Sequence, residues 1–184
     1  MKTKSLFTIV LFLVLPCLVM AQGKFYTKSG RISFFSSTSI ENIEAVNRNV
    51  VTLLDSQTGS LQFAVLMKGF EFKKALMQEH FNDKYVESGK FPKAEFKGQI
   101  TNPTEIKYTV NGTYSAKVKG KLTIHGETKD IETSGTVTVK DGKVILNAVF
   151  NVLVADYKIS IPKLYRDNIS KTIRVSVDCS LSPL

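Results

Sequence analysis

The chain has few of the residues that catalysis usually needs. Among 184 residues there are two cysteines and two histidines. His80 and His125 are far apart, and Glu79-His80 is only a fragment of an H-E-x-x-H pair. Metal hydrolysis usually gathers three protein ligands at one centre, so this supply argues against it. There is no G-x-S-x-G elbow for a serine nucleophile and no glycine-rich phosphate loop. The carboxylates are plentiful but form no telling pair. Cys17 lies in the N-terminal apolar segment, so the chain downstream of it has one cysteine, Cys179, and no internal disulfide. Together these absences argue against an enzyme and against a disulfide scaffold.

The N-terminus reads as a processing signal. Lys2 and Lys4 precede an apolar run from Leu6 to Leu15, Pro16 breaks it, and Val19-Met20-Ala21 supplies small residues at the cleavage positions. The expectation is a secretory signal peptide over 1–21, cut after Ala21, and a single domain over 22–184. A membrane span needs about 20 apolar residues, and Pro16 interrupts this run. Lipidation of Cys17 is disfavoured because Pro16 stands where a small residue is wanted. Export puts the protein in the periplasm or outside the cell, with no stable membrane insertion after cleavage. A domain of this length buries roughly two-thirds of its unfolded surface, and here the core alone must hold it.

Removing Lys2 and Lys4 lowers the formal charge from +9 to +7. The lysines are dispersed, as at Lys93, Lys97, Lys117, Lys119 and Lys121. Dispersal argues against nucleic acid as a partner. A mildly basic surface still favours anionic partners, lipid head groups included.

Period-two alternation dominates the rest, the mark of half-buried antiparallel strands. Leu61, Phe63, Val65 and Met67 share a face, as do Ala94, Phe96, Gly98 and Ile100. Val118, Gly120, Leu122 and Ile124 oppose three lysines. Val144, Leu146, Ala148, Phe150, Val152 and Val154 line up, and so do Ile173, Val175, Val177, Cys179 and Leu181. Cys179 therefore reads as an inert core thiol. Turn signals stand at Thr58-Gly59, Asn111-Gly112, His125-Gly126 and Asp141-Gly142; Asn-Gly and Asp-Gly suit primed hairpin turns. Only "KKALMQEHFNDKY" breaks the period. Its Leu76, Met77, His80 and Phe81 form the stripe of a short amphipathic helix. One-sided strands and one short helix leave a sandwich or a barrel. About eight strands is the number whose barrel interior is either just filled or holds one small ligand.

Three stretches carry a resemblance. "HFNDKYVESGKFPKAEFKGQI", then "GKLTIHGETKDIE", then "VADYKISIP" follow the order of the YceI-like family. The matching positions are Phe81-Asn82, Phe91-Pro92, Phe96 and Gly120 through Lys129. The sequence departs at His80, where an aromatic residue is common, and at Asn82, where Asp is common. The resemblance implies an all-β, lipocalin-like antiparallel β-barrel of about eight strands, with one short capping helix near residues 74–84. It also implies a tunnel holding a long-chain isoprenoid lipid, either a polyprenyl phosphate or a quinone-type lipid, with no cofactor required. The wall would be formed by Phe63, Val65, Met67, Phe81, Phe96, Leu122, Ile124, Leu146, Ala148, Phe150 and Val175.

Each functional reading has an ordinary counterpart. The same apolar residues would serve a filled core, and the protein would then act through its surface in interaction or stress response. A homodimer is compatible with either. Gly98, Gly120 and Ala148 mark either strongly bent strands or open space. His125, on the polar side of its strand beside Gly126, reads as an exposed hairpin corner. His80 reads as a packed imidazole bonded to a backbone carbonyl, with a head-group contact as the alternative.

Overall fold

The computed structural model describes residues 23–184. The signal peptide expected over 1–21 lies outside the described residues. Nine strands form one antiparallel sheet: β1 (Lys24–Ser37), β2 (Asn42–Asp55), β3 (Ser60–Leu66), β4 (Glu71–Phe72), β5 (Lys93–Ile100), β6 (Gly112–Ile124), β7 (Glu127–Lys140), β8 (Lys143–Leu153) and β9 (Thr172–Pro183). The strand order is β1-β9-β8-β7-β6-β5-β3-β2, and β1 pairs with β2 to close it. The result is a closed eight-stranded barrel, with the two-residue β4 as an extra strand on β2. Closure leaves no long free edge.

Strand β4 continues the line of β3 along the same strand, since β3 pairs with Val51–Leu54 and β4 with Ala45–Val46 of β2. Between them the chain makes a tight turn at Met67–Gly69. The fully buried Asn47 fills this break. Its amide donates to the Leu66 carbonyl at 2.8 Å and its Oδ1 accepts from the Asn49 N–H at 2.9 Å. A polar side chain is stable there because both ends of its amide are satisfied.

The expected helix is present as α1 (Ala75–His80), which widens into a single π turn at Phe81–Tyr85. Two expected turns form tight hairpins with both residues in the left-handed region: His125 (φ 52°) with Gly126 (φ 76°), and Asp141 (φ 51°) with Gly142 (φ 76°). Asn111-Gly112 does not form such a turn. Gly112 opens β6, and neither residue has positive φ. The Asn111 side chain instead accepts from the Asp141 N–H at 3.0 Å, so it braces the neighbouring hairpin.

Gly98 and Gly120 face each other across β5 and β6. A Cβ on Gly120 would lie 2.5 Å from the Gly98 Cα and 2.7 Å from the tip of the Phe96 ring. These glycines therefore permit a close, bent strand crossing and leave no space.

The barrel is packed solid at one end. Leu54, Val144, Cys179 and Leu181 are essentially inaccessible there, and Phe25 stacks on Tyr108 with ring centroids 5.9 Å apart. Cys179 is the inert thiol expected. Burial pushes its pKa up, which disfavours the nucleophilic thiolate.

Candidate functional site

Above that plug the barrel is hollow. The cavity has a volume of about 470 Å³, within the roughly 300–1,000 Å³ common for small-molecule sites. Its wall follows from strand alternation: each strand turns every second side chain inward. Phe63, Phe150, Val175, Val177, Val118 and Ile131 point inward yet are only half-buried, because the space in front of them is empty. At the solid end the same alternation gives residues with no accessible surface.

All eleven residues assigned to a tunnel wall border this one cavity. Phe63, Val65 and Met67 come from β3 and the turn after it. Phe96 comes from β5, Leu122 and Ile124 from β6, Leu146, Ala148 and Phe150 from β8, and Val175 from β9. Phe81, at the end of the helix, sits in an aromatic cluster with Phe34, Phe70 and Phe72, at centroid distances of 5.1 to 5.7 Å. Aromatic pairs at this spacing attract beyond their buried area, so the cluster fixes the helix onto the barrel rim.

Unlike Gly98 and Gly120, Ala148 borders the cavity. It pairs with Gly135 on one side and Val177 on the other, and all three border the cavity. Ala148 and Gly135 lie close together, since a Cβ on Gly135 would be 3.0 Å from the Ala148 Cβ.

Apart from His80, for which a head-group contact was the alternative reading, sequence reasoning missed one group of lining residues. Glu41, Lys74, His80, Tyr85, Tyr165 and Asn168 surround the open end. They come from the β1–β2 turn, the helical segment and the long β8–β9 connection, none of which follows a strand period. Among the described residues His80 has no backbone partner of the kind expected of it. Its ring faces Tyr165 at 5.9 Å and borders the cavity. Burial raises the Tyr85 pKa, with Tyr165 adding to it, so the Tyr85 phenol stays a neutral donor at neutral pH. Lys74 and Glu41 form an ion pair at 2.9 Å, and the Asn168 amide reaches the other Glu41 oxygen at 3.5 Å.

His125 does occupy a hairpin corner, but it is not exposed. Its side chain is 12% accessible. Nε2 meets a Glu87 carboxylate oxygen at 2.8 Å and Nδ1 meets the Tyr157 carbonyl at 3.0 Å. The Phe91 ring packs edge-on against the imidazole at 4.5 Å. It also covers Gly126, where a Cβ would lie 2.6 Å from the ring. Phe91-Pro92 and His125-Gly126, two of the motifs noted in the sequence, are thus the two sides of one contact. The reading as an exposed corner failed because alternation describes a strand, while the partners of His125 arrive from other segments.

Among the described residues no group of three His, Cys, Asp or Glu side chains converges on a point that could hold a metal ion. No helix among them is long and apolar enough to cross a membrane.

Residues 17–181 match the family model of the YceI-like domain. The fold is similar to that of a polyisoprenoid binding domain from Saccharophagus degradans, with a TM-score of 0.77 at 14% identity over 89% of this chain and 99% of that one. It is similar to BcnA of Burkholderia cenocepacia, with a TM-score of 0.67 at 15% identity over 83% and 96% of the two chains. The YceI protein of Campylobacter jejuni gives a TM-score of 0.53 at 16% identity over 98% and 97%. At these identities the likeness shows the shared fold. No curated protein sequence matches the chain.

Proposed function

Because the chain belongs to the YceI-like family, we propose that it is an exported carrier holding a long isoprenoid chain, of polyprenyl phosphate or quinone type, inside its barrel. The observation that carries this reading is the cavity of about 470 Å³, apolar along its strands and open at the helical end. Each buried CH₂ contributes about 0.8 kcal/mol, so a few isoprene units suffice for tight binding without a polar constellation deep in the barrel. A related fold described as a polyisoprenoid binding domain supports the choice of ligand. The protein binds and does not catalyse. Its compartment is the periplasm or the exterior, reached through the signal over 1–21.

The direct test is to purify the natively expressed protein without detergent, extract it with organic solvent and analyse the extract by mass spectrometry. An isoprenoid near one equivalent is expected. A clean extract, together with failure of the emptied protein to take up added isoprenoid, would sink the reading. N-terminal analysis of the exported protein should find Gln22 first; a retained Met1 would overturn the export reading.

A further inference from the structure

The charges and hydrogen-bond donors at the open end are arranged for one kind of head group. Among the described residues that line the cavity, Lys74 is the one ammonium, and the Glu41 carboxylate already engages it at 2.9 Å. Glu41 is the less accessible partner, with its side chain 24% exposed against 67% for Lys74. A phosphate that recruited Lys74 would leave Glu41 partly buried and unpaired, and would bring its own negative charge beside it. Both effects oppose binding. Glu95 also borders the cavity, but its carboxylate points to the outer face, toward Lys97 at 3.6 Å.

Side chains with hydroxyl, amide or imidazole donors also border the cavity, Ser36, Thr133 and Asn168 among them. Tyr85, Tyr165 and His80 border it together, with the His80 and Tyr165 rings 5.9 Å apart. The side-chain hydrogen bonds of these segments run through other groups: the Asn82 amide donates to the Gln78 carbonyl, and Gln78 Oε1 accepts from the Phe72 N–H. An imidazole can donate an N–H and a phenol donates one O–H. The rim thus offers phenol donors while the Lys74 ammonium is already paired with Glu41.

Resting on the isoprenoid-carrier reading, we propose that the mouth of the barrel selects an uncharged, hydrogen-bond-accepting head group, a carbonyl or ether oxygen held by Tyr85, Tyr165 and His80, and rejects a phosphate. Of the two lipid classes proposed above, this favours the quinone type. The tail enters the apolar cavity, and the oxygens stop at the rim where the donors stand.

Three probes with one C20 prenyl tail test this at pH 7.5: geranylgeranyl acetate, geranylgeranyl monophosphate and the headless hydrocarbon of the same length, each delivered from cyclodextrin and measured by equilibrium dialysis. The acetate should bind at least about tenfold more tightly than the monophosphate, since the latter must desolvate a charge that finds no free partner. Tyr85→Phe and Tyr165→Phe should each weaken the acetate by roughly three- to tenfold, the worth of one hydrogen bond, and leave the hydrocarbon unchanged. Monophosphate binding as tightly as the acetate would overturn the head-group assignment while leaving the carrier reading intact. Equal loss of acetate and hydrocarbon in the tyrosine variants would also overturn it, because the phenols would then only shape the wall. If none of the three probes binds, the carrier reading falls and this inference falls with it.

Discussion

The His125 ring and the Glu87 carboxylate, 38 residues apart in the chain, meet at 2.8 Å. Because Nδ1 faces the Tyr157 carbonyl at 3.0 Å, both ring nitrogens address acceptors. Glu87 itself holds a positive φ of 45°, and so does Lys158 at 53°, beside Tyr157. Lys158 in turn pairs with Glu127 at 2.7 Å, and that hydrogen bond holds the Glu127 carboxyl below its ordinary pKa. Three segments around the open end are therefore tied at one hairpin corner. His125→Ala should cost about 1–3 kcal/mol, because it leaves two polar partners unpaired. Faster hydrogen exchange should appear at residues 86–91 and 155–158. Unchanged melting and unchanged exchange would mean that the junction holds without the ring.

Ala148→Phe distinguishes an open cavity from a filled core. The new ring enters space bordered by Gly135 and Val177. The fold should hold within about 1 kcal/mol, below the roughly 1–3 kcal/mol expected for overpacking a filled core. The lipid taken up should fall sharply, since ring and chain compete for one volume. Thermal melts and solvent extraction on parent and variant read both effects. A strongly destabilised variant beside a parent without lipid would sink the carrier reading.

The barrel wall was legible in the sequence because closure does not disturb a period of two. Every inward face named from alternation in β3, β5, β6, β8 and β9 is an inward face of the barrel. The first two strands were harder to read. β1 changes register between Thr27 and Ile32 around Gly30, and a bulge moves side chains to the opposite face. The rim was legible only in the capping helix and in the head-group alternative at His80. Glu41, Tyr85 and Tyr165 lie far apart in the chain, and the segments that carry them have no period that ties them together. The Gly98–Gly120 contact was left between two readings, since a glycine on an apolar face signals close approach and empty space equally.

That contact makes a sharp prediction. Gly120→Ala places a methyl 2.5 Å from the Gly98 Cα and 2.6 Å from the Lys97 carbonyl. Both are backbone atoms and cannot turn aside as a side-chain end can. The two strands must separate, at a cost of about 1–3 kcal/mol or more. Denaturant unfolding measures it. A variant as stable as the parent would show that the strands part freely at this point.

Tyr108 should respond in the opposite direction. Its hydroxyl is buried without a hydrogen-bond partner among the described residues, while its ring stacks on Phe25. Tyr108→Phe keeps the ring and removes the unsatisfied group, so the variant should match the parent or exceed it by up to about 1 kcal/mol at neutral pH. Alkaline pH should separate the two proteins further. Burial pushes the Tyr108 pKa up to about 12, from 10.0 in an exposed tyrosine. Between those values the unfolded chain loses the proton and the folded one keeps it. The unfolded state then binds fewer protons, so stability falls as pH rises from about 10 toward 12. Tyr157, also raised to about 12 by burial, contributes a decline of the same sign. Denaturant unfolding of parent and Tyr108→Phe at pH 7.5 and pH 10.5 decides the matter. The parent should lose more stability between the two pH values than the variant does. Equal losses would place the phenol in contact with water.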